Sequence, residues 1–441
     1  MDILIKVGQL VLSLSILIVL HEMGHFLPAK WFKTKVEKFY LFFDPWFELF
    51  KKKIGETEYG IGWLPLGGYV KIAGMIDESF DTEQMKEEPQ PWEFRSKPAW
   101  QRLIIMLGGV TVNFLLGFFI YGMILWTWGE EYIPVKNLTY GVQPDSIGLQ
   151  MGILPGDNII AVGSKPVERY NPNMVRAEII IHDARNITVD RNGQQVQLTV
   201  NEDIAKALSK YQNKNFNLYS PRVPFVVDNF PKKSPAETAG IQKGDRIISL
   251  DGTPTPFFND FFEIVAKNPK PETEVKVGLL RGSDTLSIAV MTDKHGKIGA
   301  GPAPLETLRR PYTLAEALPA GVSKGMSFLS TQIKAFGQMF RGNIKPQDSL
   351  GSFITIGSMF PSTWEWETFW QMTAMLSLIL AFINLLPIPA LDGGHVVFLI
   401  FEVLTGKKPS DRFMEISTMV GFVILISIMV FALGLDISRL F

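Results

Sequence analysis

The sequence has no cysteine, which removes disulfides, thiolate metal sites and cysteine nucleophiles from consideration. It has no surplus of either charge. With 43 basic side chains against 44 acidic ones over 441 residues, nothing global points to a nucleic-acid partner. A GxxxxGK[ST] phosphate loop is also missing, which sets aside an ATP-driven motor. Histidine is scarce, at five residues. What the chain does have is apolar length.

Four runs reach the roughly 20 residues that cross a bilayer: Ile5 to Phe26, Leu103 to Trp128, Met372 to Pro389 and Phe413 to Leu435. The first has only Lys6 as a basic flank and no small-x-small site behind it, so it reads as a retained helix rather than a cleaved signal. Basic residues near the membrane ends set the orientation. Lys30, Lys33, Lys35 and Lys38 follow the first run; Arg95, Lys97 and Arg102 precede the second; Lys407, Lys408 and Arg412 separate the last two. The other side offers Lys6, Lys136 and Arg439 close to the membrane. The 27–102 and 390–412 loops are therefore expected in the cytoplasm, with both termini and 129–370 outside.

The outer region repeats itself. "SIGLQMGILPGDNIIAV" from Ser146 parallels "SPAETAGIQKGDRIISL" from Ser234, and Asp157 recurs as Asp245, an offset of 245 − 157 = 88 residues. A helix-like stretch and a hairpin follow each copy, with Asn192-Gly193 and Gly282-Ser283 as the turns. The copies resemble bacterial, circularly permuted PDZ domains, which bind extended peptide ends by strand addition. The second copy carries the A-G-I-x-x-G-D pattern; the first has Gln150-Met151-Gly152 in its place. The expected division is 1–128 (first membrane part), 129–220 and 221–305 (the two PDZ-like α/β domains), 306–370 (an amphipathic linker, with helical spacing over 330–340) and 371–441 (second membrane part).

The uncharged run Val7 to Leu20 ends in "HEMGH". His21 and His25 lie four apart, on one face of a helix, where they can share a metal ion while Glu22 sits beside it. An isolated HExxH arises often by chance. Three ionisable groups in a membrane span are another matter, because each must find a partner where water is absent. A catalytic zinc keeps three protein ligands and one open position, so a third ligand is due at the same depth. The third run supplies "NLLPIPALDGGH". Pro387 and Pro389 break the helix, and Asp392 falls at its cytoplasmic end, the depth that charge counting assigns to His21 and His25.

HExxH in a first membrane helix paired with N-x-x-P-x-x-x-L-D-G in a late one resembles the site-2 protease family of intramembrane zinc metalloproteases. Four spans and two PDZ-like copies are most similar to the members that control the bacterial envelope stress response. The resemblance implies one zinc held by His21, His25 and Asp392, with Glu22 as general base, and Asn384 and Pro387 positioning substrate. It also implies a membrane-associated β-hairpin or sheet after the first helix, whose Gly67, Gly68, Tyr69 and Val70 offer an edge to unwound substrate. Partners would be the inner membrane, single-span substrates such as a trimmed anti-sigma factor, and peptide ligands of the PDZ-like copies. In the second helix, Gly108, Gly109 and Gly117 read as packing residues and Asn113 as a residue lining the site. His395 reads as support for Asp392, and His182 and His295 as ordinary residues of the outer domains. Ser352-Phe353 stands where the family shows Gly-Pro. A non-catalytic membrane PDZ adaptor and a metal transporter are the competing readings.

Overall fold

The computed structural model describes residues 2–65, 67–75, 87–213 and 218–439. Leu66, inside the stretch expected to form the substrate-facing strands, lies outside the described residues. The chain divides into two compact units: Met1–Gly129 with Pro311–Ile333 and Ser349–Phe441, and Glu130–Arg310 with Lys334–Asp348.

Among the described residues of the first unit, four helices are long and apolar enough to cross a membrane: α1 (Asp2–Trp31), α2 (Ala99–Trp128), a third span Trp366–Asn384 and a fourth ending at Ser438. Lipid is as apolar as leucine, so spans associate by close packing and hydrogen bonds rather than by the hydrophobic effect. The sequence supplies both. A Cβ added to Gly24 of α1 would fall 2.5 Å from the Gly108 carbonyl oxygen of α2, so the two backbones touch only because both positions are glycine. On the other face of α2, Gly117 leaves room for Leu378 of the third span, whose Cδ2 would lie 2.6 Å from a Cβ there. Ser13 and Thr373 pair at 3.0 Å between α1 and the third span, and Ser377 donates to the Asn113 carbonyl at 2.8 Å. Such bonds contribute about 0.6 to 2 kcal/mol each.

The third span stops at Asn384 instead of reaching Pro389. Pro387 and Pro389 have no amide hydrogen to continue the ladder, and 385–391 turns through short bonds such as Ala390 N–H to the Ile388 carbonyl, 2.8 Å. Asp392 does not close the third span, as its sequence position suggested; it opens a separate 14-residue helix, Asp392–Thr405. A carboxylate in a first turn suits the positive end of the helix dipole. Gly393 and Gly394 permit the fold-back, since side chains there would collide with the carbonyls of Leu385, Leu386 and Ile388. Arg102 of α2 pins this helix through Glu402 at 2.5 Å.

Between α1 and α2 the chain forms a sheet, not a lone hairpin. Its strands are β1 (Val36–Leu41), β2 (Phe43–Ile54), β3 (Thr57–Leu64) and β4 (Tyr69–Ile72), in the order β2-β3-β1-β4. β1 runs parallel to β3 and antiparallel to β4, which leaves β4 at an edge. β2 exposes Trp46, Phe47, Leu49 and Phe50, an apolar surface of the kind that seeks a membrane or a partner.

The amphipathic segment belongs to a longer helix, Leu314–Phe340. Its Gly321 lies against Gly122 of α2. Ser352, which departs from the family pattern, caps the helix Phe353–Ser358. Asp436 of the fourth span accepts from its hydroxyl at 2.6 Å and from the Thr355 hydroxyl at 2.6 Å.

The second unit holds the repeat. Each copy has a four-stranded sheet: Gln194–Thr199, Asn186–Arg191, Asn158–Val162 and Lys165–Pro166 in the first, and Asp284–Met291, Glu274–Arg281, Arg246–Leu250 and Thr253–Pro254 in the second. The helices Pro172–Ile180 and Phe258–Lys267 cover them. Asn192 and Gly193 both take positive φ, 54° and 83°, as a tight hairpin turn requires. The Gly-Asp pair is architectural in both copies. Asp157 takes a bidentate pair from Arg191, and Asp245 one from Arg281, with every N···O distance between 2.7 and 2.8 Å.

Candidate metal centre

α1 runs uninterrupted through "HEMGH", so His21 and His25 project one turn apart from the same face. The turn after the third span delivers Asp392 opposite them. His21 Nε2 and His25 Nε2 lie 3.3 Å apart, and each lies 3.3 Å from Asp392 Oδ2. Three donor atoms thus form an equilateral triangle. A tetrahedral ion with bonds of about 2.0 Å has ligand edges of about 3.3 Å, the geometry of zinc with nitrogen and oxygen donors. Asp392 Oδ2 is buried and accepts no hydrogen bond. A buried carboxylate oxygen without a donor is costly, and a cation held by the triangle removes that cost. The three residues fit a metal ion, and the fourth position remains for a reacting group.

Glu22 is 9 % exposed and lies beside the Val70 backbone. β4 packs against α1 beside the cluster. Gly68 lies close under α1, where a Cβ would come within 2.5 Å of Ile18 Cγ2. Tyr69 stacks on Tyr40, and its hydroxyl donates to Asp44 at 3.0 Å. Gly67 lies against the Phe43 ring. Asn384 brings its amide within 3.4 Å of His21 Nε2, and Pro387 lies exposed in the turn that follows. Asn113, fully buried, brings its amide 3.1 Å from His21 Nδ1.

Two features of the site carry no local signature in the sequence. His25 Nδ1 faces the Ile105 backbone carbonyl at 2.8 Å, a group every residue possesses. Gly109 is the space into which both imidazoles fit, because a Cβ there would meet His25 Nε2 and approach His21 Cε1 to 2.7 Å. The remaining histidines lie elsewhere. His395, one turn into the Asp392 helix, lines a pocket with Phe94, Arg102 and Glu402. His182 pairs with Glu178 at 2.9 Å, and His295 is exposed.

Residues 9–428 match the model of peptidase family M50. The chain is 28% identical to the regulator of sigma-E protease RseP of Escherichia coli over 98% of each. It is 27% identical to the regulator of sigma E protease of Haemophilus influenzae over all of both. A zinc-metalloprotease candidate of Pasteurella multocida is 31% identical, again over the full length of each.

Proposed function

The chain belongs to peptidase family M50, the site-2 proteases, and from that membership we propose that it is an intramembrane zinc endopeptidase cutting single-span proteins near the cytoplasmic face. The observation that carries the reading is the triangle of His21, His25 and Asp392 with Glu22 beside it, at the end of an apolar helix. His21, His25 and Asp392 would hold the zinc. When bound, zinc lowers the pKa of a water from 15.7 to about 7 and polarises the scissile carbonyl. Glu22 accepts the water's proton and hands it to the leaving amine. The Asn384 amide, beside His21 Nε2, is placed to hold a substrate carbonyl.

Substrate must be unwound first, because a helix hides its carbonyls in hydrogen bonds. β4, an edge strand next to Glu22, and the two glycines before it offer Gly67 to Val70 as the template, and Pro387, exposed in the turn before Asp392, is the residue that would help to position substrate. The basic flanks put this sheet and the active site toward the cytoplasm of a bacterial inner membrane, and both termini and the repeats outside. The repeats, 129–220 and 221–305, read as PDZ-like domains that restrict access to substrates already trimmed outside, such as an anti-sigma factor of an envelope stress response; the names of the Escherichia coli and Haemophilus relatives favour that class. An adaptor would have no use for four buried groups in this arrangement.

The test is cleavage of a single-span reporter by the reconstituted chain and by its Glu22→Gln variant, with zinc measured in both. The variant should keep its zinc and lose cleavage. A variant that still cuts would remove Glu22 from the mechanism, and a wild type that never cuts would leave the adaptor.

A further inference from the structure

We propose that Asn113 is a positioning residue that fixes His21 in its metal-binding tautomer, and that α2 is the template for both histidines. The inference rests on the zinc reading of the donor triangle. A neutral histidine that offers Nε2 to a metal carries its proton on Nδ1, and that proton needs an acceptor. For His25 the acceptor is the Ile105 carbonyl, 2.8 Å away. For His21 the facing group is the Asn113 amide at 3.1 Å. With Nδ2 turned toward the ring, two N–H donors confront each other, while Oδ1 is buried without a partner. Oxygen and nitrogen of an amide are assigned from their bonding partners. Half a turn of the amide removes the clash of donors: Oδ1 then accepts from His21 Nδ1–H, and the NH2 group takes the place that Oδ1 leaves. Ser377, which donates to the Asn113 backbone carbonyl at 2.8 Å, holds this part of α2 in place from the third span.

The arrangement has a period. Ile105, Gly109 and Asn113 are spaced by four along one face of α2. The outer two accept the ring protons, and the middle one is the gap that the rings occupy. One helix face therefore sets the orientation of both zinc-binding imidazoles, without contributing a ligand.

The experiment compares zinc affinity by chelator competition in full-length wild type, Asn113→Leu and Asn113→Asp in detergent, with the thermal midpoint of each zinc-free form as the control for folding. Leucine keeps the volume and removes the acceptor; aspartate keeps an acceptor oxygen. Asn113→Leu should bind zinc about 10- to 100-fold more weakly at an unchanged zinc-free midpoint, and Asn113→Asp should stay within a few-fold of wild type. Wild-type affinity in Asn113→Leu would overturn the proposal. So would an equal loss in Asn113→Asp, which would assign the role to Nδ2. If Asn113→Leu does not fold, Asn113→Asp decides alone in the same sense. A wild type that binds no zinc would refute the metal reading itself, a result distinct from either variant outcome.

Discussion

Replacing Gly109 by alanine adds one methyl group at the point where both imidazoles pass α2. That methyl would collide with His25 Nε2 and lie 2.7 Å from His21 Cε1, where ordinary contact begins at 3.4 Å. The His21 ring must therefore retreat by 0.7 Å, the difference of those two distances, and His25 by more. Metal sites tolerate displacements of about 0.2 Å, so the 3.3 Å triangle cannot survive as a zinc site. Overpacking a core costs about 1 to 3 kcal/mol, which leaves room for the chain to fold. The expected result is a folded membrane protein with zinc affinity reduced at least as far as the 10- to 100-fold that losing an outer hydrogen-bond partner costs, and with reporter cleavage lost in proportion. Gly8→Ala on α1 is the matched control, since a Cβ there meets nothing within 4 Å, and it should leave both readouts unchanged. Measuring zinc per chain, cleavage and thermal midpoint for both variants settles the matter. A Gly109→Ala chain with full zinc and full cleavage would refute the reasoning.

Metal removal and pH give two further expectations. Stripping zinc with a chelator should lower the thermal midpoint of the full chain, and zinc at 100 times its dissociation constant should restore about 2.7 kcal/mol; an unmoved midpoint would mean that no folded-state ion is bound. Arg281 beside Asp245 holds its carboxyl below the usual carboxylate range. A lowered folded pKa stabilises above the unfolded value of about 3.9 and is lost as pH falls through the folded one. Amide exchange in Arg246–Leu250 and Glu274–Arg281 should therefore accelerate as pH drops below about 4, after correction for intrinsic rates, and less so in Asp245→Asn, which has already lost the charge.

The sequence exposed what is written in short windows. HExxH, the Asn384–Asp392 stretch, the four apolar runs and the repeated Gly-Asp turns are each local patterns, and each is found in the structure at or near its expected place. Errors fell where a local pattern met a tertiary demand. The apolar run extends to Pro389, but the helix ends at Asn384: the prolines mark the break, and the fold-back over Gly393 and Gly394 decides where the chain goes next. Ser352-Phe353 departs from the family's Gly-Pro, and the partner of Ser352 is Asp436 of the last span, which no local window contains.

By itself the sequence determined which groups are present and which face of each helix is apolar, because side-chain identity and periodicity are properties of neighbours along the chain. Only the tertiary structure decided that Asp392 meets His21 and His25 at 3.3 Å, that β4 stands beside Glu22, and that the Ile105 carbonyl faces His25 Nδ1. The physical reason is that helix faces name no partner, and a backbone carbonyl is the same group at every position until packing brings something to it.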